Sequence, residues 1–121
     1  MKLSHTLQLA SGILFAMSVA MPGTASAQAV DEEAAKALFK RNDCAKCHHP
    51  TREKKGTALS EIASKYKGKA DAMDKLYKQV TTGPKVKMLD DKKEEDHKIV
   101  DTKDEKQVKN LLAWILSGNA K

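Results

Sequence analysis

The sequence predicts a small all-α domain of about four short helices, on three observations. The chain has 121 residues, the size of a single small domain. Apolar residues recur with the i, i+3, i+4, i+7 spacing of an amphipathic helix in several separate segments. Only 4% of the residues are aromatic, so the side chains alone would form a thin core, and small chains of this kind often depend on a metal, a cofactor or a disulfide.

Residues 1–27 have the features of a secretory signal peptide. Lys2 lies near the start, residues 7–21 form an apolar run, and Ala25-Ser26-Ala27 fits a cleavage site of small residues. The apolar run is shorter than the roughly 20 residues that span a bilayer. We therefore exclude residues 1–27 from the fold, assign residues 28–121 to the domain, and expect export to the periplasm without stable membrane insertion.

The first predicted helix covers residues 31–42. Three acidic residues stand at its start, where they would face the positive end of the helix dipole. Its apolar stripe consists of Ala34, Ala35, Leu38 and Phe39.

Two further short helices are predicted in the middle of the chain. The second ends at Gly68 and the third at Gly83-Pro84, because glycine and proline commonly end helices. The stripe of the second helix consists of Leu59, Ile62, Ala63 and Tyr66. The stripe of the third consists of Met73, Leu76, Tyr77 and Val80.

The last predicted helix has the clearest boundaries. Thr102-Lys103-Asp104-Glu105 fits a capping box at its start, and Gly118 can close it. Its stripe consists of Val108, Leu111, Leu112 and Ile115. Between residues 84 and 101 the helical period is lost, and alternation of Val86 and Met88 with lysines predicts a loop or a small hairpin there.

The chain carries a net charge of +6, and its charges are unevenly distributed. An acidic run at residues 90–96 is interpreted as a solvated face. Export argues against nucleic acid as a partner of a basic protein. The basic residues concentrated between positions 46 and 69, here called the basic cluster, are Lys46, Arg52, Lys54, Lys55, Lys65, Lys67 and Lys69.

Cys44-Ala45-Lys46-Cys47-His48 is a C-x-x-C-H motif, the pattern of c-type haem attachment. Two thiols three positions apart can add across the two vinyl groups on one edge of a porphyrin. The adjoining imidazole is then held under the iron as an axial ligand. The motif therefore predicts one covalent haem c, bound through Cys44 and Cys47, with His48 as the proximal iron ligand.

Three alternative roles for the two cysteines are less well supported. A structural zinc site needs four ligands, and His48, His49 and His97 could complete the count, but no second C-x-x-C supports it. A thioredoxin-like dithiol needs a βαβ pattern that is absent from the sequence. A disulfide across so short a loop would stabilise the fold only weakly.

The chain resembles the class I mono-haem cytochromes c, in particular the short bacterial type. The resemblance covers nearly all of residues 29–118. It implies a haem wrapped by short helices, with Phe39 packed near Trp114 where the first and last helices cross. The segments that carry it, besides the motif, are Leu38-Phe39-Lys40, Gly56, residues 62–68 and residues 112–117.

The sequence departs from the family pattern in two places. Many members have a proline after the glycine that follows the motif, and its carbonyl accepts a hydrogen bond from the proximal imidazole; here Thr57 stands there. The usual distal ligand is a methionine beside prolines, and no Met-Pro pair precedes the last helix. His97, 17 residues before Trp114, fits that position better than Met88, 26 residues before it. Met88 and an open or water-filled site remain the alternatives.

A haem with both axial positions filled has no substrate site, so the expected function is one-electron transfer and the protein is not expected to be an enzyme. The basic cluster predicts transient, salt-dependent docking on an acidic face of a redox partner. We expect a monomer that is largely unfolded without haem. Two alternative functions are the haem subunit of a periplasmic dehydrogenase and a gas-binding sensor with a labile distal ligand.

Overall fold

A computed structural model describes residues 29–121, and the predicted signal peptide at 1–27 lies outside the described residues. The predicted all-α architecture, with a small hairpin before the last helix, is confirmed. The elements in chain order are α1 (Glu32–Arg41), a 3-10 turn (Cys44–Lys46), α2 (Leu59–Tyr66), α3 (Ala72–Thr82), β1 (Lys85–Lys87), β2 (Glu94–Asp96) and α4 (Glu105–Leu116).

Helix α1 is capped at its start and joined there to α4. The Asp31 side chain accepts a hydrogen bond from the Ala34 amide at 3.0 Å, which satisfies one of the free N–H groups of the first turn. Asn110 bonds the Asp31 backbone in both directions, with its side-chain oxygen accepting from the amide and its nitrogen donating to the carbonyl. These contacts fix the start of α1 against α4.

Helix α4 begins two residues later than predicted, so the capping box at Thr102 was wrong. Thr102 is not the cap; its hydroxyl accepts from the amide of Asp104 at 3.1 Å. The N-cap is Asp104, whose carboxylate accepts from the Lys106 amide at 2.9 Å and from the Gln107 side chain at 3.0 Å. A carboxylate is favoured at this end because its charge also faces the positive end of the helix dipole.

The core lies where α1, α2 and α3 pack against α4. Phe39 and Trp114 make the predicted contact at the α1–α4 crossing, edge to face, with ring centroids 5.7 Å apart and an interplanar angle of 75°. Ala35 and Leu38 are buried as predicted, while Ala34 is exposed. The largest fully buried apolar side chains are Leu59, Val108, Leu111 and Leu112.

The hairpin is a two-stranded antiparallel pair in which Lys85 faces Asp96 and Lys87 faces Glu94. Lys85 and Asp96 also form an exposed ion pair at 3.1 Å. The amide of Leu89 donates to the carbonyl of Lys55 at 2.8 Å. The hairpin is thereby tied to the loop that follows the C-x-x-C-H motif.

Within residues 29–121, no helix combines the length and the apolar character that crossing a bilayer requires.

Candidate haem site

A cavity of about 590 Å³ opens between the motif, α2, the hairpin and the segment before α4. Apolar core side chains from α2 and α4 form its floor, among them Leu59, Ile62, Leu112 and Ile115. The residues that the sequence predicted as the site all line this one cavity: Cys44, Cys47, His48, Met88 and His97. The fold therefore gathers into one place residues that are up to 53 positions apart in the chain.

The motif folds as one tight turn. The amides of Cys47 and His48 both donate to the Cys44 carbonyl, at 3.1 and 2.9 Å. Both cysteine thiols are half-buried and free, so the two residues do not form a disulfide with each other. Burial raises the pKa of the Cys44 thiol above its ordinary value. Two free thiols at the edge of an apolar cavity fit thioether attachment of a porphyrin.

The proximal side of the site is organised around His48. Its Nδ1 lies 2.7 Å from the carbonyl oxygen of Thr57. Since a carbonyl oxygen can only accept, Nδ1 donates, and Nε2 keeps its lone pair for a metal. Replacement of the family's proline by Thr57 thus leaves this hydrogen bond in place.

Gly56 lets the His48 ring approach the backbone. A Cβ atom at position 56 would lie 2.8 Å from Cε1 of the ring and 3.3 Å from the Cys47 carbonyl oxygen. The first distance is shorter than van der Waals contact allows, and the second is tighter than most contacts of a Cβ atom. Only glycine leaves the imidazole in this position.

The structure places His97 opposite His48. The two ring centroids are 6.2 Å apart, and the ring planes are inclined by 42°. A single metal ion about 2 Å from one nitrogen of each imidazole, the usual metal–histidine distance, separates the ring centroids by about 6 Å. Two imidazoles at this spacing could hold one metal ion between them, such as the iron of a haem.

The free nitrogen of His97 is defined in the same way as that of His48. Nδ1 lies 2.9 Å from the carbonyl oxygen of Lys98, to which it donates, so Nε2 is the nitrogen left for a metal. Burial lowers the pKa of His97, against the opposing effect of that hydrogen bond. The ring is therefore neutral at neutral pH, the form that binds a metal.

The carboxylates of Glu95 and Asp96, next to His97 in the sequence, do not orient its ring. Asp96 is in an ion pair with Lys85 on the exposed side of the hairpin. Glu95 lines the cavity but is exposed. The ring is bonded instead to a backbone carbonyl, that of Lys98.

Met88 also reaches the site. Its side chain is 6% exposed and lines the cavity, and its amide donates to the Lys93 carbonyl within the hairpin. Met73 instead packs against the core and does not line this cavity. His49 lies outside the lining as well, with its Nδ1 accepting from the Thr51 amide.

The zinc alternative finds no support in the part of the chain that the structure describes. No group of three or more His, Cys, Asp or Glu side chains there is placed to hold a metal ion. A site with two facing imidazoles and an apolar floor fits haem iron, which takes only its axial ligands from the protein.

Charged side chains surround the mouth of the cavity. Three members of the basic cluster line it, namely Lys46, Lys55 and Lys65. Lys65 and Lys69 lie over the ring of Tyr66, 6.0 and 5.6 Å from its centroid. Four carboxylates of the lining partly balance this positive charge, those of Asp43, Glu61, Glu95 and Asp96, and Asp43 pairs with Lys46 at 3.1 Å.

A polar contact behind the motif was not anticipated from the sequence. Asn42, only 2% exposed, caps the end of α1 and donates to the Asp101 carboxylate at 3.1 Å. Its side-chain oxygen accepts from the Asp101 amide at 2.9 Å. This pair joins the residue two positions before Cys44 to the residue four positions after His97. No local pattern marks it, because the partners are 59 residues apart.

Comparisons with known proteins identify the family that the chain resembles. The sequence pattern of the cytochrome c family matches residues 32–119. No curated protein sequence matched the chain. Among solved structures, the chain is similar to class 1 cytochrome MtoD from Sideroxydans lithotrophicus ES-1, with 46% identity and a TM-score of 0.71 over 76% of this chain and 100% of that one.

Nitrosomonas europaea cytochrome c552 is a second structural relative. The wild-type protein is 30% identical with a TM-score of 0.54, and the match covers 68% of this chain and 96% of that one. A deletion mutant of the same cytochrome gives 30% identity and a TM-score of 0.56. The match spans nearly the whole length of each relative, so it concerns the complete domain.

Proposed function

The chain belongs to the class I cytochrome c family, small electron carriers with a covalent c-type haem, and on that premise we propose that His48 and His97 ligate the iron and that the protein works in the periplasm. When bound, the haem supplies reversible one-electron oxidation and reduction at its iron. Cys44 and Cys47 hold the porphyrin covalently. His48 and His97 hold the iron between them and leave no position for a substrate.

The distance between the two imidazole rings carries the choice of His97. Centroids 6.2 Å apart are what one metal ion between two histidines requires. Both rings also have Nδ1 bonded to a backbone carbonyl, which orients Nε2 and fixes the tautomer. Two imidazoles place the reduction potential below that of a histidine–methionine haem, because a thioether ligand raises it. The carrier is therefore suited to partners of lower potential.

His97→Ala and Met88→Leu together test the ligand assignment. We expect the His97→Ala holoprotein to lose the low-spin six-coordinate spectrum and to bind carbon monoxide readily in the ferrous state. Met88→Leu, a swap that nearly conserves volume, should keep the parent's ferric spectrum. The reverse pattern, with His97→Ala unchanged and Met88→Leu altered, would assign the iron to Met88.

The periplasmic location rests on the signal peptide predicted at residues 1–27. Its cleavage site of small residues ends at Ala27. Mass spectrometry of protein purified from the periplasmic fraction should give a chain that begins at residue 28. A haem-loaded chain that keeps residue 1, or that is recovered only from the cytoplasm, would refute this part of the proposal.

We also propose that the basic cluster docks an acidic face of the redox partner. Lys46, Lys55 and Lys65 lie at the mouth of the haem cavity, where attraction would orient a partner toward the shortest electron path. Tyr66, covered by two lysines, supplies an aromatic surface within the same patch. Such encounters are transient and have small interfaces.

Small redox complexes of opposite charge test the sign of the docking surface. The electron-transfer rate with anionic ferricyanide should fall as salt is added, while the rate with a cationic cobalt complex should rise. Lys65→Glu should lower the ferricyanide rate more than Lys36→Glu, which changes net charge equally but lies on α1, away from the cavity lining. Equal effects of the two substitutions would show that net charge, and not a local patch, controls the encounter.

A further inference from the structure

The segment that carries His97 lies directly on the end of α3. The His97 amide donates to the Pro84 carbonyl at 3.0 Å, and the Val100 amide donates to the Val80 carbonyl at 2.9 Å. These two bonds attach residues 97–100 to the last turn of α3 and the residues after it. The position of His97 over the cavity is therefore determined by how closely this segment approaches α3.

Gly83 lies between those two hydrogen bonds and is in contact with the segment. It has a positive φ of 61° as the C-cap of α3. A Cβ atom there would lie 2.7 Å from the His97 carbonyl oxygen and 2.9 Å from Cγ1 of Ile99. Heavy atoms in folded proteins do not approach this closely without strain, so a side chain at position 83 would force a neighbour to move.

The two contacts differ in how easily they can give way. Ile99 is 53% exposed, so its side chain can turn toward solvent. The carbonyl of His97 cannot move alone, because hydrogen bonds hold the rest of the residue. The His97 amide is bonded to the Pro84 carbonyl, and the His97 ring is bonded to the Lys98 carbonyl. A side chain at position 83 therefore displaces the backbone that carries the distal imidazole.

We propose that Gly83 is a positioning residue for His97, and that the missing side chain at position 83 allows the distal imidazole to reach the iron. This inference rests on the proposed ligation by His97, and it explains why the His97 ring lies where it can reach the iron. A displaced imidazole binds the iron less tightly and yields its coordination position more readily to an external ligand. Loss of a group that orients a metal ligand typically weakens the metal bond about 10- to 100-fold.

Gly83→Ala and Gly68→Ala form a matched pair for the test. Gly68 also has a positive φ, 72°, but a Cβ atom there would meet nothing within 4 Å. The two substitutions therefore share backbone strain, and only Gly83→Ala adds the contact with His97. The readouts are the ferric absorption spectrum and the affinity of the ferrous holoprotein for carbon monoxide, with the thermal midpoint recorded as a measure of strain.

We expect both variants to lose thermal stability, but only Gly83→Ala to bind carbon monoxide about tenfold or more tightly than the parent. His97→Ala, measured in parallel, distinguishes a wrong ligand assignment from a wrong role for Gly83. If His97→Ala keeps the parent's spectrum, the ligand assignment itself is wrong. If His97→Ala binds carbon monoxide while Gly83→Ala and Gly68→Ala behave alike, the ligand assignment stands and the role of Gly83 is refuted.

A double variant keeps the proposal testable if Gly83→Ala folds poorly. Adding Ile99→Ala removes the contact with the exposed side chain and retains the contact with the His97 carbonyl. This double variant relieves any part of the strain that Ile99 contributes, and we expect it still to show the raised affinity for carbon monoxide. Affinity restored to the Gly68→Ala level would mean that the contact acts through Ile99, and would overturn the proposal.

Discussion

At the scale of single residues, Asn42 shows how the two halves of the haem site are held together. It is the buried polar side chain of the core among residues 29–121. Its amide nitrogen donates to the Leu38 carbonyl at 2.9 Å and to Asp101, and its oxygen accepts from the Asp101 amide. Both polar atoms of this buried amide have hydrogen-bond partners, so neither is left with an uncompensated cost of desolvation. It joins the end of α1 to the segment that follows His97.

Asp101 gives this contact a pH dependence. Hydrogen bonds from Arg41 and Asn42, with that from Arg41 the stronger effect, lower the pKa of its carboxyl below its ordinary value. A carboxyl whose pKa is lower in the folded state stabilises the fold above the unfolded-state pKa of about 3.9 and loses that effect as the pH falls below it. The ionised form is therefore stabilising at neutral pH.

Asp101→Asn tests this linkage. The variant should melt at a lower temperature than the parent at pH 7, because it loses the charged contact with Arg41. The difference between the two melting temperatures should be smaller at about pH 3, because the stabilising effect of the ionised carboxyl is lost progressively once the pH falls below the unfolded-state pKa of about 3.9. Thermal unfolding of both holoproteins, followed by circular dichroism at the two pH values, measures it. An equal difference at both pH values would show that the charge of Asp101 does not contribute.

The proposed haem-binding residues differ in how far the sequence could predict them. Cys44, Cys47 and His48 follow from one local motif, because thioether attachment fixes their spacing. His97 could be predicted only from its distance to Trp114, and that reasoning left Met88 open. The contacts of Asn42 and Gly83 were out of reach, since each depends on a partner distant in the chain and on no local pattern.

Among the helices and strands, α1 and α4 make the most extensive contact, at the point where they cross. Phe39 and Trp114 meet edge to face there, and Asn110 joins the two helices at the other end of α1. Trp114 is buried, and its indole N–H has no hydrogen-bond partner in the part of the chain that the structure describes. The residue thus contributes through its ring.

A double-mutant cycle measures the ring contact. Phe39→Leu, Trp114→Leu and the double variant should give a coupling energy of about 0.5–1.5 kcal/mol, the usual value for an aromatic pair beyond its buried area. Urea unfolding of the four holoproteins supplies the free energies. A coupling energy indistinguishable from zero would mean that the two rings stabilise the fold only by filling space.

Each helix could be predicted because its apolar residues recur every three or four positions in the sequence. The helix ends and the strands were harder to predict. The start of α4 differed by two residues, since Thr102 and Asp104 are both good caps and only the folded chain decides between them. Strand β2 has no alternation to detect, because Glu94, Glu95 and Asp96 are all exposed. Its pairing with β1 depends on backbone hydrogen bonds and cross-strand charge pairs.

At the scale of the whole molecule, the haem cavity and the apolar core are continuous. Leu59, Leu111, Leu112 and Ile115 belong to the core and also line the cavity of about 590 Å³. A porphyrin in that space supplies the apolar contacts that the few aromatic residues cannot. We therefore expect the stability of this small chain to depend on its cofactor.

Removal of haem attachment should unfold the domain. The variant Cys44→Ala/Cys47→Ala, produced without haem, should lose most of its helical circular dichroism, because the core residues that face the cavity would be exposed to water. Thermal scans of this variant beside the holoprotein measure the effect. A cooperative transition in the haem-free variant near that of the holoprotein would contradict the dependence.

The visible and far-red absorption of the purified holoprotein, in its ferric and ferrous states, distinguishes His97 from Met88 as the distal ligand. Two axial histidines predict a low-spin six-coordinate spectrum in both states, without the weak far-red band that a methionine sulfur gives on ferric haem. The presence of that band would contradict ligation by His97. It would assign the distal position to Met88 and raise the expected reduction potential.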